Sequence, residues 1–527
     1  MKSYALSFPL MRKLVLITVL LATGLSAQPL EVGSVSFANS GAAAAQEPFL
    51  QGLAQLHNFE YASAAELFRK AQQADPSFAM AFWGEAMTHT HPIWFQQNLE
   101  AARAVLARLG KTPEERLAKA KTERERDYLR TLDVLYGEGT KTERDFLYAD
   151  AMRALHAKYP DDVDATAFYA LAILGTSHEG RDFAIYMRSA ALLEEVFPAN
   201  RRHPGVLHYL IHSYDDPVHA PLGMRAARLY GSVAPHAGHA LHMTSHIFIA
   251  LGLWDDVIDA NIRAIATVNQ QRAARSKPAA DCGHYPIWLH YGYLQQQRFD
   301  DARRMLDACR AYAFPAEFVA GSETDSPRQR LGDYADMIAH HVAGGQPLTS
   351  ADLLAPPKEV KAPNVAFTLT YAAVIAAAQR GDAKAVESHT AALREQHEAL
   401  LAANPGRAEG NAGRRERAEV MLQEAEALLL IAKGRRAEAL PILEAAAKKE
   451  RQLPFEFGPP DVPKPAAELL AEQLVAAGRA ADAAAAYQNA LRRAPGRTLA
   501  LSGLRAAEKS AKVPGREDKT PPAAHVH

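Results

Sequence analysis

The sequence predicts an all-α protein, a helical-repeat superhelix (α-solenoid). The composition is rich in alanine and other helix-favouring residues, and strand-like alternation of apolar and polar residues is nearly missing. A two-helix pattern with small residues at fixed offsets recurs along the chain. Such units bury their apolar faces only by stacking on their neighbours, so the pattern predicts one extended stack of helical hairpins.

The first 27 residues have the pattern of a secretory signal peptide. Basic residues precede an apolar run from Leu14 to Leu25, and the small residues Ser26 and Ala27 follow. The run is too short to cross a bilayer core, which needs about 20 apolar residues. We expect cleavage after Ala27, a periplasmic or secreted protein without membrane insertion, and a flexible Gly/Ala/Ser-rich leader over 28–46.

The repeat region is expected over 47–510, and its clearest unit runs from Pro465 to Pro495. Gly478 lies at a turn, and Ala483, Tyr487, Ala490 and Pro495 follow at offsets of 5, 9, 12 and 17. This pattern resembles the tetratricopeptide (TPR) repeat. Related copies lie at 61–76, 252–264, 298–309 and 434–446 and around Gly381. The resemblance implies a TPR-like superhelix with a concave groove that binds ligands.

Two stretches interrupt the repeats, near 215–221 and at 454–465, and both contain proline. Loops inserted on one side of a solenoid often line or cover its binding face. The C-terminal segment 511–527 is polar and contains proline, so we expect a disordered tail.

Histidines are concentrated between His203 and His246, where eight of the 21 lie. His239, His242 and His246 are three and four residues apart, which places them on one face of a helix. The TPR register, with Gly252 at the turn, implies that this face points into the groove and that His284 occupies the equivalent position of the next unit. The four histidines are therefore candidate ligands of zinc, copper or iron.

A second HxxxH pair, His208 and His212, precedes Asp215 and Asp216. Two helices that each offer such a pair could complete a metal site, with one of the aspartates as a ligand or an orienting carboxylate. The alternatives are acid–base catalysis without a metal and a hydrogen-bonded histidine network without function.

Glu85 and His89 form a second candidate group, four residues apart. If they share a helix face, a carboxylate and an imidazole are available for acid–base catalysis. Because a superhelix brings distant repeats around a shared interior, we expect that they can face the histidines around His239.

Cys282 and Cys309 are the only cysteines. Under the TPR register they fall near the start of one helix and near the end of its antiparallel partner, and export permits oxidation. A disulfide is the favoured interpretation, and Cys282 as a thiolate ligand beside His284 is the rival.

The formal charge is −1, which gives no reason to expect nucleic acid or an anionic membrane as partner. The sequence has no P-loop and no GxGxxG, GxSxG, CxxCH or HExxH motif, which disfavours nucleotide enzymes, serine hydrolases, cytochromes and HExxH metalloproteases.

Three motifs together resemble those of a group of exported bacterial TPR-fold proteins. They read HYLIHSYDDP, HALHMTSHIF and CGHYPIWLHYGYLQ. A eukaryotic TPR group is similar in two features. One is a helix with an HxxxH pair, here His242 and His246, and the other is a downstream histidine, here His284.

The sequence therefore predicts an exported TPR-repeat binding protein. Its His-lined concave pocket would take a transition metal together with a peptide, protein or small ligand. A metal-dependent hydrolase or oxygenase that uses the same histidines is the first alternative. A metal-free scaffold for envelope protein assembly is the second.

Overall fold

The computed structural model describes residues 30–314, 327–349, 352, 362–403 and 413–511. The predicted signal peptide over 1–27 lies outside these residues, as does the predicted tail apart from Ala511. Both therefore stay predictions.

The helices that precede the histidine-rich region are α1 (Ala43–His57), α2 (Tyr61–Ala74), α3 (Ala79–Met87), α4 (Leu99–Leu109), α5 (Pro113–Lys119), α6 (Glu123–Leu135), α7 (Lys141–Lys158), α8 (Val163–Leu174) and α9 (Phe183–Val196). Between α3 and α4, the two-residue strands β1 (Thr90–His91) and β2 (Gln96–Gln97) pair antiparallel around a 3-10 turn over Pro92–Trp94.

The middle helices are α10 (Pro204–Tyr214), α11 (Ala220–Val233), α12 (Gly238–Ala250), α13 (Trp254–Ala274), α14 (His284–Gln295), α15 (Phe299–Ala313) and α16 (Pro327–Ala343). The C-terminal helices are α17 (Pro363–Gln379), α18 (Ala383–Ala403), α19 (Arg414–Ala432), α20 (Arg436–Glu450), α21 (Ala466–Ala476), α22 (Ala480–Arg493) and α23 (Thr498–Ala511).

Neighbouring helices pair as hairpins, and α21 and α22 show why the sequence folds this way. Gly478 adopts a φ of +79°, a left-handed conformation that other residues rarely adopt, and it lets the chain reverse within a short turn. Ala483, Tyr487 and Ala490 are then buried on α22, as the repeat pattern requires. Each of the other hairpins likewise packs against the next. The predicted all-α, TPR-like helical repeat is confirmed.

The chain also forms loops where the repeats are interrupted. The connection between α10 and α11 spans 215–219, and that between α20 and α21 spans 451–465. Of the helices in the described ranges, none is long and apolar enough to cross a membrane.

The segment before α1 packs against the fold through Val32 and Phe37, which differs from the flexible leader expected over 28–46. Phe37 is buried, with its ring 5.5 Å from that of Phe49 and 5.2 Å from that of Tyr128, and Arg124 stacks on it. The backbone N–H of Ser40 donates to the carboxylate of Glu125. The small residues around Phe37 suggested flexibility, but one aromatic side chain in the core is enough to anchor such a segment.

The turn before α23 packs against helices from the middle of the chain. Arg497 is only 2% exposed and donates to the two carboxylate oxygens of Glu468 at 2.6 and 3.0 Å and to the Tyr291 hydroxyl at 3.3 Å. Trp254 Nε1 donates to the Gly496 carbonyl at 3.1 Å. These bonds hold the C-terminal hairpin against α13 and α14.

Replacing Phe37 by alanine tests whether the leader is part of the core. We expect Phe37→Ala to lower the free energy of unfolding by about 3–5 kcal/mol, because it removes a buried aromatic ring. Leu30→Ala is the control, since Leu30 is 49% exposed. Equal unfolding curves for the wild type and the Phe37 variant would show that the segment contributes nothing to stability.

Replacing Arg497 by alanine tests the packing of the C-terminal hairpin. The Glu468 carboxylate would stay buried with Lys464 as its remaining cation, so we expect a loss of about 3–5 kcal/mol in urea unfolding. Arg479→Ala removes a solvent-exposed ion pair to Asp482 and should cost less than about 1 kcal/mol. Similar losses in the two variants would contradict the importance of the buried pair.

Candidate metal centre

Six of the predicted metal ligands come from three helices that pack around one interior region. α10 carries one pair, one turn apart, and α12 carries three histidines on successive turns. The first residue of α14 supplies the sixth. The structure brings them together as a first set, His208, His212 and His239, and a second set, His242, His246 and His284; within each set one ligand atom per residue lies within 4.8 Å of the others.

Side-chain contacts fix the starts of α10 and α12, and one of them is local whereas the other is distant in sequence. The Val206 N–H donates to His203 Nδ1, which caps the first turn of α10. The His239 N–H donates to the half-buried carboxylate of Glu60 at 3.0 Å, which caps the start of α12. Glu60 was not predicted to belong to this region, because no local pattern relates it to a helix that begins almost 180 residues later.

In the first set, one nitrogen of each ring is held by a hydrogen bond. His208 Nδ1 donates to the His57 carbonyl at 2.6 Å, and His212 Nδ1 lies 3.3 Å from an oxygen of Asp215. His239 Nδ1 shares a hydrogen bond of 3.2 Å with the Tyr285 hydroxyl. The Nε2 atoms of all three histidines are buried and have no hydrogen-bond partner among the described residues.

In the second set, the hydrogen bonds assign the protons of two rings. Asn261 donates its amide to the Val257 carbonyl at 2.8 Å, so its oxygen accepts from His242 Nδ1 at 2.7 Å. His246 Nδ1 donates to Asp215 at 2.9 Å. Both Nε2 atoms therefore carry bare lone pairs, and they face each other at 3.2 Å.

The Asp215 carboxylate connects the two sets, since its Oδ2 accepts from His212 and from His246. Its other oxygen pairs with Arg181, which is also buried. Burial alone would raise the pKa of Asp215, but the Arg181 guanidinium and the two histidine N–H groups hold that pKa well below its ordinary value. Asp215 is thus a fixed anion that orients two rings.

Burial favours the neutral form of His208, His239, His242 and His246. It lowers the pKa values of His208, His239 and His242 well below the ordinary value, and neighbouring histidines lower them further. Burial also lowers the pKa of His246, to about 4, although Asp215 opposes the shift. Neutral imidazole is the form that binds metal ions.

Aromatic side chains enclose the second set. The Tyr285 ring stacks on His242 at 4.4 Å, and the Trp288 ring stacks on His246 at 4.5 Å. Phe457, from the loop 451–465, lies 4.8 Å from the His246 ring. His284 is the exposed member of the set, so access from solvent is on its side.

The prediction that Glu85 and His89 share a helix face is wrong, because α3 ends at Met87. Glu85 is buried and accepts hydrogen bonds from Arg69 at 3.2 Å and from Arg108. Neither Glu85 nor His89 belongs to a histidine set in the described chain. The Glu85 carboxylate is thus paired with Arg69 and Arg108.

Cys282 and Cys309 form a disulfide with their Cα atoms 4.5 Å apart, which ties the segment before α14 to α15. Because its sulfur is bonded to that of Cys309, Cys282 offers no thiolate ligand beside His284.

A further buried group, which joins His57 to Asp164 and His203, was not predicted as a unit. The Nε2 atoms of His57 and His203 lie 2.9 and 3.3 Å from the same Asp164 oxygen. The Tyr209 hydroxyl bonds to His57 Nδ1 at 2.9 Å, and His203 Nδ1 caps α10. Every ring nitrogen of this group has a partner, so the group supports the first set through the His57 carbonyl.

Comparisons with known proteins place the chain in no family. No protein-family model matches it, and no curated protein matches it significantly. Among solved structures it is similar to yeast Tom70 (10% identity, TM-score 0.32, 89% of this chain and 88% of that one). It is also similar to the Cut9–Hcn1 hetero-tetramer of the APC/C, with 12% identity and a TM-score of 0.30 over 90% of this chain and 78% of that one. A third similar structure is the TPR domain of P58(IPK), with 13% identity and a TM-score of 0.20 over 89% of this chain and 99% of that one. Similarities with TM-scores this low give no information about the function of this chain.

Replacing Gly458 by alanine tests how tightly the loop 451–465 closes over the second set. The added Cβ would lie 2.6 Å from the Trp288 ring, and the φ of +109° is itself strained for alanine. We expect Gly458→Ala to cost about 1–3 kcal/mol more in unfolding free energy than Gly434→Ala. Gly434 also has a positive φ but nothing within 4 Å of an added Cβ. Equal costs would mean that the loop does not press on Trp288.

Proposed function

We propose that this protein binds a transition-metal ion through His242, His246 and His284, and that the ion receives a small ligand from solvent. The observation that carries the proposal is the pair of bare Nε2 atoms, 3.2 Å apart, on His242 and His246.

Two lone pairs that face each other inside a protein repel, and a cation between them removes the repulsion. A shared proton is a poor candidate, because burial lowers the pKa of His242 well below its ordinary value and that of His246 to about 4. Two nitrogens bound to one tetrahedral ion at about 2.0–2.1 Å are about 3.3–3.4 Å apart. The observed separation therefore matches the edge of a metal coordination sphere.

The surroundings match those of metal-binding histidines in general. Such a histidine usually donates its second ring nitrogen to a carboxylate or a carbonyl, which orients the ring. Asp215 and the Asn261 side-chain oxygen have this role for His246 and His242. His284 would be the third ligand, and nitrogen donors of this kind suit copper and zinc, and also iron.

The burial of the site favours a small molecule over a peptide. His242 and His246 are almost fully buried, and the Phe457 ring covers His246. A peptide or protein in a groove could not reach the ion without displacing the loop 451–465. We therefore assign the ligand to a small molecule or anion that enters beside His284, in a protein exported as its N-terminus predicts.

The second candidate function is a metal-dependent hydrolase or oxygenase. The observation that favours it is the number of ligands, since three protein ligands leave a fourth position open, as catalytic zinc sites do. Exogenous azide or phenol that changes the spectrum of the cobalt- or copper-loaded protein would indicate such an open position.

The test is the metal content of the mature protein, purified without an affinity tag or chelator and measured by plasma mass spectrometry. We expect at least one copper, zinc or iron ion per chain, and the His242→Ala/His246→Ala variant should lose the ion of this set because it loses two ligands.

The control removes a buried histidine pair elsewhere. His290 and His341 lie 3.2 Å apart in the core, outside both sets, so His290→Ala/His341→Ala should keep its metal. A wild-type protein that holds no metal, and takes up none when copper or zinc is added, would overturn the proposal and favour a metal-free scaffold.

A further inference from the structure

We infer that the first set, His208, His212 and His239, holds a second ion, so that the two sets form one dinuclear copper centre. This inference rests on the proposed function, because the second ion is placed beside the one assigned to His242 and His246.

The first argument is the hydrogen bonding of the first set. The three Nε2 atoms are buried and unpartnered, although each ring is already held through Nδ1. Buried polar atoms almost always have a partner, so three unpartnered ring nitrogens within one histidine set fit the donor set of a metal ion. Three nitrogens around one ion lie about 3.3–3.6 Å apart. One ligand atom of each ring already lies within 4.8 Å of the others.

The second argument is the contact between the sets. The His212 ring lies 5.5 Å from that of His246, and the His239 ring lies 6.1 Å from that of His242. Asp215 accepts from one histidine of each set through the same oxygen. An ion bound in one set would hold the histidine of that set, and with it Asp215, in place. The histidine of the other set needs Asp215 in that same orientation.

The third argument identifies the metal. All six donors are imidazoles, whereas paired iron or manganese ions in helical proteins are held mainly by carboxylates. Copper binds such nitrogen sites more tightly than the other divalent ions of its row.

Charge then identifies the kind of small ligand. The six rings supply no negative charge, and the nearby Asp215 is already paired with Arg181. Because an unpaired buried charge is costly, two cupric ions need a small bridging anion such as hydroxide or azide.

The experiment loads the metal-free full-length mature protein with cupric sulfate and removes the excess by desalting. Copper per chain is measured by mass spectrometry, and spins are counted by electron paramagnetic resonance. We expect about two copper ions per chain and a spin count well below the copper content, because a shared bridge couples the two ions magnetically.

The variants separate the two sets. His208→Gln/His239→Gln should keep about one copper ion, with a full spin count, and so should His242→Gln/His246→Gln. Their circular dichroism is compared with that of the wild type, and His290→Gln/His341→Gln should still hold two coupled ions.

Each other outcome overturns the inference. One ion in the wild type, kept in the His208/His239 variant and lost in the His242/His246 variant, would leave the proposed function intact and remove the second ion. One ion lost in both variants would mean a single shared site. Two ions with a full spin count would mean separate sites, and no ion would refute both this inference and the proposed function.

Discussion

The buried carboxylate of Asp215 is the interaction on which the arrangement of the histidines depends. Taking this anion out of water is costly, and the ion pair with Arg181 offsets the cost. Once ionised, the carboxylate accepts N–H groups from His212 and His246, which leaves the Nε2 atom of each ring bare. The ion pair of Asp215 with Arg181 therefore determines that His212 and His246 keep Nε2 as the nitrogen free to bind a metal ion.

Enclosure distinguishes this region from an open repeat groove. The residues of α12 from Gly238 to Ile249 are all buried, because α10, α11 and α13 pack around the helix. The loop 451–465 then adds Phe457 against the His246 ring and Gly458 against the Trp288 ring. That loop lies between helices of the C-terminal hairpins, which Arg497 holds against α14. Contacts far along the chain thus enclose most of the histidines in the interior of a helical stack, with His284 as the exposed member of the second set.

Part of the candidate site could be predicted from spacing and part could not. The intervals between His239, His242 and His246 indicated one helix face, and the three do lie on successive turns of α12. The structure nevertheless assigns His239 to the side of α10 and the other two to the side of α14. A helix face is broad enough to contact two neighbouring helices, so the grouping depends on which helices pack there. Glu85 shows the opposite case, in which a plausible spacing failed because the helix ended two residues later.

The sequence by itself determined that this protein is a stack of helical hairpins. Turn glycines and small residues at fixed offsets act within each hairpin, so local spacing is sufficient to specify them. It also determined where the histidines are concentrated. Only the tertiary structure decided that they form two sets and that Asp215, Asn261 and the His57 carbonyl fix the tautomers of His208, His212, His242 and His246. It alone also decided that the segment around Phe37 is packed. The physical reason is that these contacts join residues that are far apart in the chain, and no local pattern encodes which of them meet when the apolar faces are buried.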